Sequence, residues 1–334
     1  MPSYTQGLTI FQSGRETTKG TAVAATSKFA VEGMVIRPID SIVRPKIIKG
    51  VLLANPGNEL AVQRGMEWEF SNTPLIYDQL QQFLAMTYKG AVAPSAGPPY
   101  TWTYTRDPLA DPALDSRTFE MRQTDGTTPN DVEFAYGMCQ SLEISGAENE
   151  PLRMAAKGFG RRIQSSTLTA AQALPTVVIP PMALSSVYID PTWATRGTTL
   201  VSGQVLGWKY RIESGVKPLM TADARSDLDF TVDVIDWNDV KLSLELVILA
   251  TASGQWATEK TAAEALTLRA VEVRAVVSAN ASLKLRGLFR HTAGSVFPAD
   301  VQDGQRICTL SLEGSTDDTN FAEAILINTA AALG

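Results

Sequence analysis

The fold is decided by a stretch in which apolar and polar residues alternate, Val132-Glu-Phe-Ala-Tyr-Gly-Met-Cys-Gln-Ser-Leu-Glu-Ile-Ser145. Its even positions are mostly apolar, whereas Glu133 and Glu143 stand at odd positions. A period of two residues is typical of a β-strand that has one buried face and one solvated face. The stretch therefore predicts a strand of an antiparallel sheet.

The same alternation returns in the second half of the chain, where it predicts separate strands at 228–235 and 240–250. Leu228, Phe230, Val232 and Val234 are then expected on the buried face of the first of these strands. Two helices are also predicted. Thr73 and Pro74 supply an N-cap and a first helical position, and a second helix is expected near 257–269.

The order strand, long loop, strands, helix, strands occurs twice along the chain, which favours an internal duplication. We therefore predict a mainly β protein with two tandem β-sandwich or barrel units, each with one flanking α-helix. The predicted divisions are an N-terminal arm at 1–28, a first β domain at 29–163 with a long loop at 39–64, a linker at 164–185 and a second β domain at 186–334. The arm is polar, so we expect it to have little core of its own and to become ordered against a partner.

Side chains that commonly carry catalysis are scarce, because the 334 residues include one histidine and two cysteines. His291 has no second histidine for a metal site and no serine-centred motif beside it, so we expect no catalytic centre, no cofactor and no metal. The net charge of −6 argues against a protein that grips the phosphates of nucleic acid. The start of the chain lacks the pattern of a secretory signal and no stretch approaches a membrane span, so folding in the cytoplasm is expected.

One cluster of charges stands out, in and beside the loop at 39–64. It consists of Arg37, Asp40, Arg44, Lys46, Lys49 and Arg64. A solvated loop and a loop that docks on an acidic neighbour are both compatible with this pattern.

Several segments together resemble the major tail tube proteins of long, non-contractile-tailed bacteriophages. They are Gly14-Arg-Glu-Thr-Thr-Lys-Gly-Thr-Ala-Val-Ala-Ala-Thr26, Ser141-Leu-Glu-Ile-Ser-Gly-Ala-Glu-Asn-Glu-Pro-Leu-Arg153, Leu206-Gly-Trp-Lys-Tyr-Arg-Ile-Glu-Ser-Gly-Val-Lys-Pro-Leu219 and Val240-Lys-Leu-Ser-Leu-Glu-Leu246. These motifs are strand and turn signatures without a catalytic signature. Their occurrence in the family's order is what supports the resemblance.

The resemblance implies a β-sandwich or barrel whose copies join edge to edge into rings, which stack into the tail tube of a virion after folding in the host cytoplasm. It also implies a tape-measure protein in the lumen before double-stranded DNA passes, and tail terminator and distal tail proteins as partners. The loop at 39–64 matches a long loop of the family that orders on assembly, which makes it the expected contact between rings. Two tandem units favour three chains per ring over six.

Two other functions remain open on the sequence. A host-binding β module would be a monomer or small oligomer that binds cells. A carbohydrate-active β-sandwich enzyme would use carboxylates such as Asp227 and Asp229, two positions apart on one strand face.

Overall fold

The computed structural model describes residues 9–30, 32–43, 60–95, 97–124, 129–222, 227–250, 254–292, 300–302 and 305–332. Strands account for 55% of the structure and helices for 10%, which confirms the prediction of a mainly β protein with few helices. Among the described residues, one α-helix lies in each half of the chain. Neither helix in this described part has the length and apolar character needed to cross a membrane.

The first half of the chain contains the elements β1 to β11 and α1. They are β1 Ile10–Arg15, β2 Ser27–Lys28, β3 Val35–Pro38, β4 Ser41–Val43, β5 Leu60–Gln63, β6 Met66–Pro74, α1 Tyr77–Thr87, β7 Tyr100–Arg106, β8 Arg117–Thr124, β9 Pro129–Ala147, β10 Arg153–Gly160 and β11 Gln164–Ser165.

The second half contains β12 to β19 and α2. They are β12 Ser185–Asp190, β13 Val205–Leu219, β14 Val232–Leu249, α2 Gln255–Glu264, β15 Arg269–Ser278, β16 Ala281–His291, β17 Asp300–Gln302, β18 Gln305–Gly314 and β19 Ala322–Asn328.

Six strands of each half pair in the same antiparallel order. In the first half the order is β3-β6-β10-β9-β8-β1, and in the second half it is β13-β14-β18-β16-β15-β12. The corresponding strands also follow one another in the same order along the chain, with α1 after β6 and α2 after β14. The two halves therefore share one topology.

The halves are joined at two places into one network of strands. β9 pairs with β13 from Ser141 opposite Glu213 to Ala147 opposite Gly207, and β7 pairs with β19. A single hydrophobic cluster includes side chains of both halves, and the Tyr88 hydroxyl donates to the Tyr210 hydroxyl at 2.8 Å across it. The two topological repeats thus bury their apolar faces together.

The alternation at 132–145 is confirmed at both ends of the stretch but is interrupted between them, because residues 136–139 are all buried and Tyr136 and Met138 belong to a second, smaller cluster. Phe134, Tyr136, Leu142 and Ile144 are buried, and the backbone bends at Tyr136, whose φ is 56°. The strand pairs with β8 before this bend and with β10 and β13 after it. One long strand thus takes part in two sheets.

The N-terminal arm predicted at 1–28 is wrong for its described part, residues 9–28. β1 pairs with β8 and β2, and Phe11 is buried in the core. The polar residues that suggested an arm are buried as hydrogen-bonded groups: the Gln12 side-chain amide donates to Glu120 at 2.6 Å, and Ser13 donates to Gln82 at 2.9 Å. Composition misled the prediction because each of these polar groups finds a partner inside the protein.

The first helix begins three residues later than the Thr73-Pro74 signal indicates, because both residues belong to the end of β6. Its N-cap is Ile76, without a side-chain hydrogen bond. The helix packs on strands of both halves, since α1 contacts β9, β13 and β19. The segment at 164–185 runs beside the first half, where β11 pairs with β9 and the Leu152 amide donates to the Pro180 carbonyl at 2.8 Å.

The strands predicted at 228–235 and 240–250 form one strand, β14, that is interrupted in its pairing with β13. Val240 pairs with Ser214 and Ile235 with Val216, so residues 236–239 of β14 bulge opposite Gly215. Gly215 has a φ of 73°, and a β-carbon there would lie 2.5 Å from the Asp236 carbonyl oxygen. The bulge requires glycine at this position.

Candidate assembly surfaces

The loop at 39–64 contains a short two-stranded ladder that projects from the sheet. β3 pairs with β6, and beyond Ile39 and Asp40 the chain continues as β4, which pairs with β5. We call the ladder formed by residues 41–43 and 60–63 the first hairpin. Among the described residues, β4 and β5 pair only with each other, as a separate sheet.

Apolar side chains of the first hairpin are exposed. Ile42 is 53% exposed and Leu60 is 59% exposed, and Val43 and Val62 are also exposed. Val43 stands opposite Leu60 and Ile42 opposite Ala61, so apolar groups lie on both faces of the ladder. A two-stranded ladder without a core is marginally stable by itself, so this one is suited to packing against another surface.

The structure places three of the six predicted contact residues near the base of the first hairpin. Arg37 lies on β3 and its guanidinium is 3.6 Å from the Glu69 carboxylate. Asp40 is exposed between β3 and β4, while the Arg64 amide donates to the Leu228 carbonyl at 2.9 Å. Arg44, Lys46 and Lys49 lie outside the described residues.

The second half has a projecting ladder at the equivalent position, which the sequence did not single out. Beyond the bulge at Gly215, the stretch Val216–Leu219 of β13 pairs with residues 232–235 of β14. We call residues 216–235 the second hairpin. The two halves thus share this feature. The pairing of β3 with β6 is interrupted and continues as the pairing of β4 with β5, and the pairing of β13 with β14 is interrupted at the bulge and then continues.

The two faces of the second hairpin differ. Val216 is buried with Phe230, Tyr136 and Phe159, and Ile235 packs against this cluster. The opposite face carries Lys217, Leu219, Val232 and Val234, because Leu219 stands opposite Val232 and Lys217 opposite Val234. Leu219, Val232 and Val234 are each about two-fifths exposed. We call this the outer face of the second hairpin.

The expectation that Val232 and Val234 face inward is wrong, although Phe230 is buried as predicted. Asp233 takes the inward position instead. Its carboxylate accepts from the Tyr136 hydroxyl at 2.7 Å and from the Lys19 ammonium at 2.8 Å. Residues of β14 still alternate between its two faces, but Val232 and Val234 face outward and Asp233 faces inward. Tyr136 and Lys19 stabilise the Asp233 carboxylate in this inward position.

A broad polar face extends over β6, β10, β9, β13, β14 and β18, so it includes strands from both halves. Residues directly opposite each other point to the same side of a sheet, which fixes the charges on this face. The basic residues in the paired rows are Arg153, Lys157, Lys209, Arg211 and Lys241, and the acidic ones are Glu67, Glu69, Glu143, Glu213, Glu245 and Glu313. Five basic and six acidic groups give these rows a net charge of −1.

His291 is a buried structural residue. Its Nε2 is 2.8 Å from Glu259, whose carboxylate also accepts from Arg269 at 2.5 Å. Burial opposes ionisation of Glu259, but the hydrogen bonds from His291 and Arg269 outweigh it and lower the pKa of that carboxyl. The three side chains link α2 to β15 and β16.

The two aspartates considered for an enzyme lie on the segment between β13 and β14, at the end of the second hairpin that is away from the bulge. Asp229 is 1% exposed, and its carboxylate accepts from the Arg162 amide at 2.9 Å. Burial raises the pKa of Asp229 above its usual value. Asp227 accepts from the Asp229 amide at 3.2 Å. Within the described residues, no group of three or more His, Cys, Asp or Glu side chains is placed to hold a metal ion.

Neither a family model nor a curated protein matches this chain. The two hairpins, the edge of β3 and the polar face are therefore the features on which a functional assignment depends.

Proposed function

We propose that this chain is a structural subunit that assembles into stacked rings and forms the tail tube of a bacteriophage. The observation that carries the proposal is the first hairpin, a ladder with exposed apolar residues on both faces and no partner strand beyond its own pair in the described chain. Exposed strands of this kind promote aggregation unless another chain covers them. An ordered assembly gives them a defined partner.

The joint between the halves suggests how a ring closes. β13, the first strand in the pairing order of its half, receives β9 of the first half on its free edge. β3 has the corresponding position in the first half, and among the described residues it pairs only with β6. A neighbouring chain that adds a strand to β3 would repeat the internal joint between chains.

A joint of this kind is heterologous, so it closes into a ring when the rotation per repeat fits. Two topological repeats per chain then favour three chains per ring, which present six similar units. Stacked rings would form the tube, with assembly in the host cytoplasm and the finished tube in the virion.

The polar face is the surface that best suits the lumen. Its paired rows mix both signs and carry a net charge of only −1, so a DNA phosphate backbone would meet no concentrated cationic surface. Such a surface allows double-stranded DNA to pass without tight binding. A tape-measure protein inside the tube, and terminator and distal tail proteins at its ends, complete the proposed set of partners.

The test compares assembly of the wild-type protein with that of Leu60→Glu, and Leu109→Glu is the control. Leu109 is 81% exposed and lies outside both hairpins. Negative-stain microscopy and sedimentation should show rings or tubes for wild type and Leu109→Glu, but folded subunits for Leu60→Glu. A wild-type protein that stays monomeric at high concentration contradicts the proposal, and binding to host cells or glycan hydrolysis by that monomer would favour the alternatives.

A further inference from the structure

We propose that the outer face of the second hairpin is the docking surface for the first hairpin of a second copy of this chain. The inference rests on the proposed function and names the partner surface for the first hairpin. The outer face has exposed apolar residues at its centre and acidic residues beside it.

The apolar centre is held rigidly for docking. Leu219, Val232 and Val234 are exposed on one face, whereas Val216 on the other face is 1% exposed in a small aromatic cluster. The second hairpin is therefore fixed to its own subunit and presents its outer face to solvent. The first hairpin exposes apolar groups on both faces, so it has matching groups to bury.

The two hairpins carry opposite charges in the sequence. Residues 37–64 contain five basic residues and two acidic ones, whereas residues 216–240 contain two basic residues and six acidic ones. The net charges of the two stretches are therefore +3 and −4. Asp229 is buried and Asp233 is bound to Lys19 on the inner face, so Asp236 and Asp239 supply the accessible acidic groups beside the outer face. Equivalent hairpins of opposite charge attract each other and repel their own kind, which selects contacts between a first and a second hairpin.

The acidic excess is present next to the outer face. Lys217 contacts both Asp236 and Asp239, at 2.9 and 2.5 Å, so this group has two carboxylates and one ammonium. Both aspartates are about two-fifths exposed and remain accessible to a cation. Trp237, between them in sequence, is 47% exposed and adds apolar surface at the bulge.

Contact between first- and second-hairpin elements already occurs within one chain. The Arg64 amide, at the base of the first hairpin, donates to the Leu228 carbonyl of the second hairpin. In the proposed ring, the first hairpin of the next chain would contact the outer face of the second hairpin, which its own chain leaves exposed.

The experiment is a charge swap. Lys46→Glu/Lys49→Glu reverses two charges in the sequence between β4 and β5, and Asp236→Lys/Asp239→Lys reverses two charges beside the outer face. Each change gives the two proposed partners charges of the same sign. We expect each pair to reduce the assembled fraction about tenfold or more, and the combined four-residue swap to restore it. Glu148→Lys/Glu150→Lys, on the turn between β9 and β10, is the matched control and should assemble normally.

Two further measurements keep the outcome clear. Asp236→Asn/Asp239→Asn avoids placing lysines beside Lys217, and we expect it to weaken assembly less than the reversal. The melting temperature of the dilute monomer should be the same for Lys46→Glu/Lys49→Glu as for wild type, because the proposed contact lies between chains. The variants at Asp236 and Asp239 also lose the ion pairs with Lys217, so their monomers are expected to be less stable for that reason alone.

The inference is overturned if the single reversals assemble like wild type, if the combined swap fails to restore assembly, or if Lys46→Glu/Lys49→Glu changes the melting temperature of the monomer, which would mark a contact within one chain. A wild-type protein that does not assemble overturns the proposed function, and this inference with it.

Discussion

The Lys209 ammonium lies 3.1 Å from the Glu143 carboxylate across the ladder where β13 of the second half meets β9 of the first. This ion pair is partly exposed, so it contributes about 0.2–1 kcal/mol and marks the joint more than it stabilises it. The backbone ladder and the shared core beneath it hold the halves together. We propose that the same kind of strand pairing joins one chain to the next.

The shared core predicts that the two halves unfold together. Tyr88 and Tyr210 donate and accept across the halves, and α1 contacts strands of both. Urea denaturation followed by tryptophan fluorescence and by circular dichroism should give one coincident transition. Tyr210→Phe should lower the free energy of unfolding by about 1 kcal/mol without separating the transitions. Two resolved transitions would contradict a common core.

Gly215 should be intolerant of a side chain because of the bulge opposite it. Gly215→Ala combines an unfavourable positive φ, about 1–2 kcal/mol, with a β-carbon 2.5 Å from the Asp236 carbonyl oxygen. Gly203→Ala is the matched control, since its φ is 64° and nothing lies within 4 Å of the added carbon. Thermal denaturation should show the larger loss for Gly215→Ala. Equal losses would mean that the bulge accommodates the added carbon.

The sequence predicted burial correctly where burial follows the local pattern of apolar residues, and incorrectly where it depends on partners that are distant in the sequence. The alternation in β9 was sufficient because Phe134, Leu142 and Ile144 are buried by the ordinary rule for apolar residues. The same rule failed where Asp233 is held by Tyr136 and Lys19, residues about 100 and 200 positions away. Such distant partners leave no periodic signal in the local sequence.

The assembly surfaces show the same limit. A cluster of basic residues distinguishes the loop at 39–64 in the sequence, whereas no basic cluster distinguishes the second hairpin. Its outer face is recognised only from the register of β13 on β14 and from the burial of Val216 on the opposite side. The acidic run from Asp227 to Asp239 was the available clue.

Glu259 should make the protein sensitive to acid. Its pKa is lowered in the folded state, so its contribution to stability is present above the unfolded pKa of about 4.3 and is lost as the pH falls through the folded value. Glu259→Gln leaves Arg269 and His291 without their carboxylate and should cost about 3 kcal/mol or more at pH 7. Chemical denaturation between pH 3 and pH 7 should show the difference from wild type narrowing below about pH 4. A difference independent of pH would contradict this role.

Asp229 should behave in the opposite way. Burial raises its pKa in the folded state, so ionisation at neutral pH costs stability, and this cost disappears as the pH falls below the unfolded pKa of about 3.9. Asp229→Asn retains an oxygen to accept from the Arg162 amide and removes the charge. Its free energy of unfolding at pH 7 should therefore equal or exceed that of wild type. A large loss at pH 7 would show that the ionised carboxylate is required.

A cryo-electron microscopy reconstruction of the assembled protein tests directly whether this chain forms a tube. We expect stacked rings of three chains, with six similar β units around the wall and the polar face of β6, β10, β9, β13, β14 and β18 toward the lumen. Six chains per ring, a second half that lies outside the wall, or a strongly basic lumen would contradict this expectation.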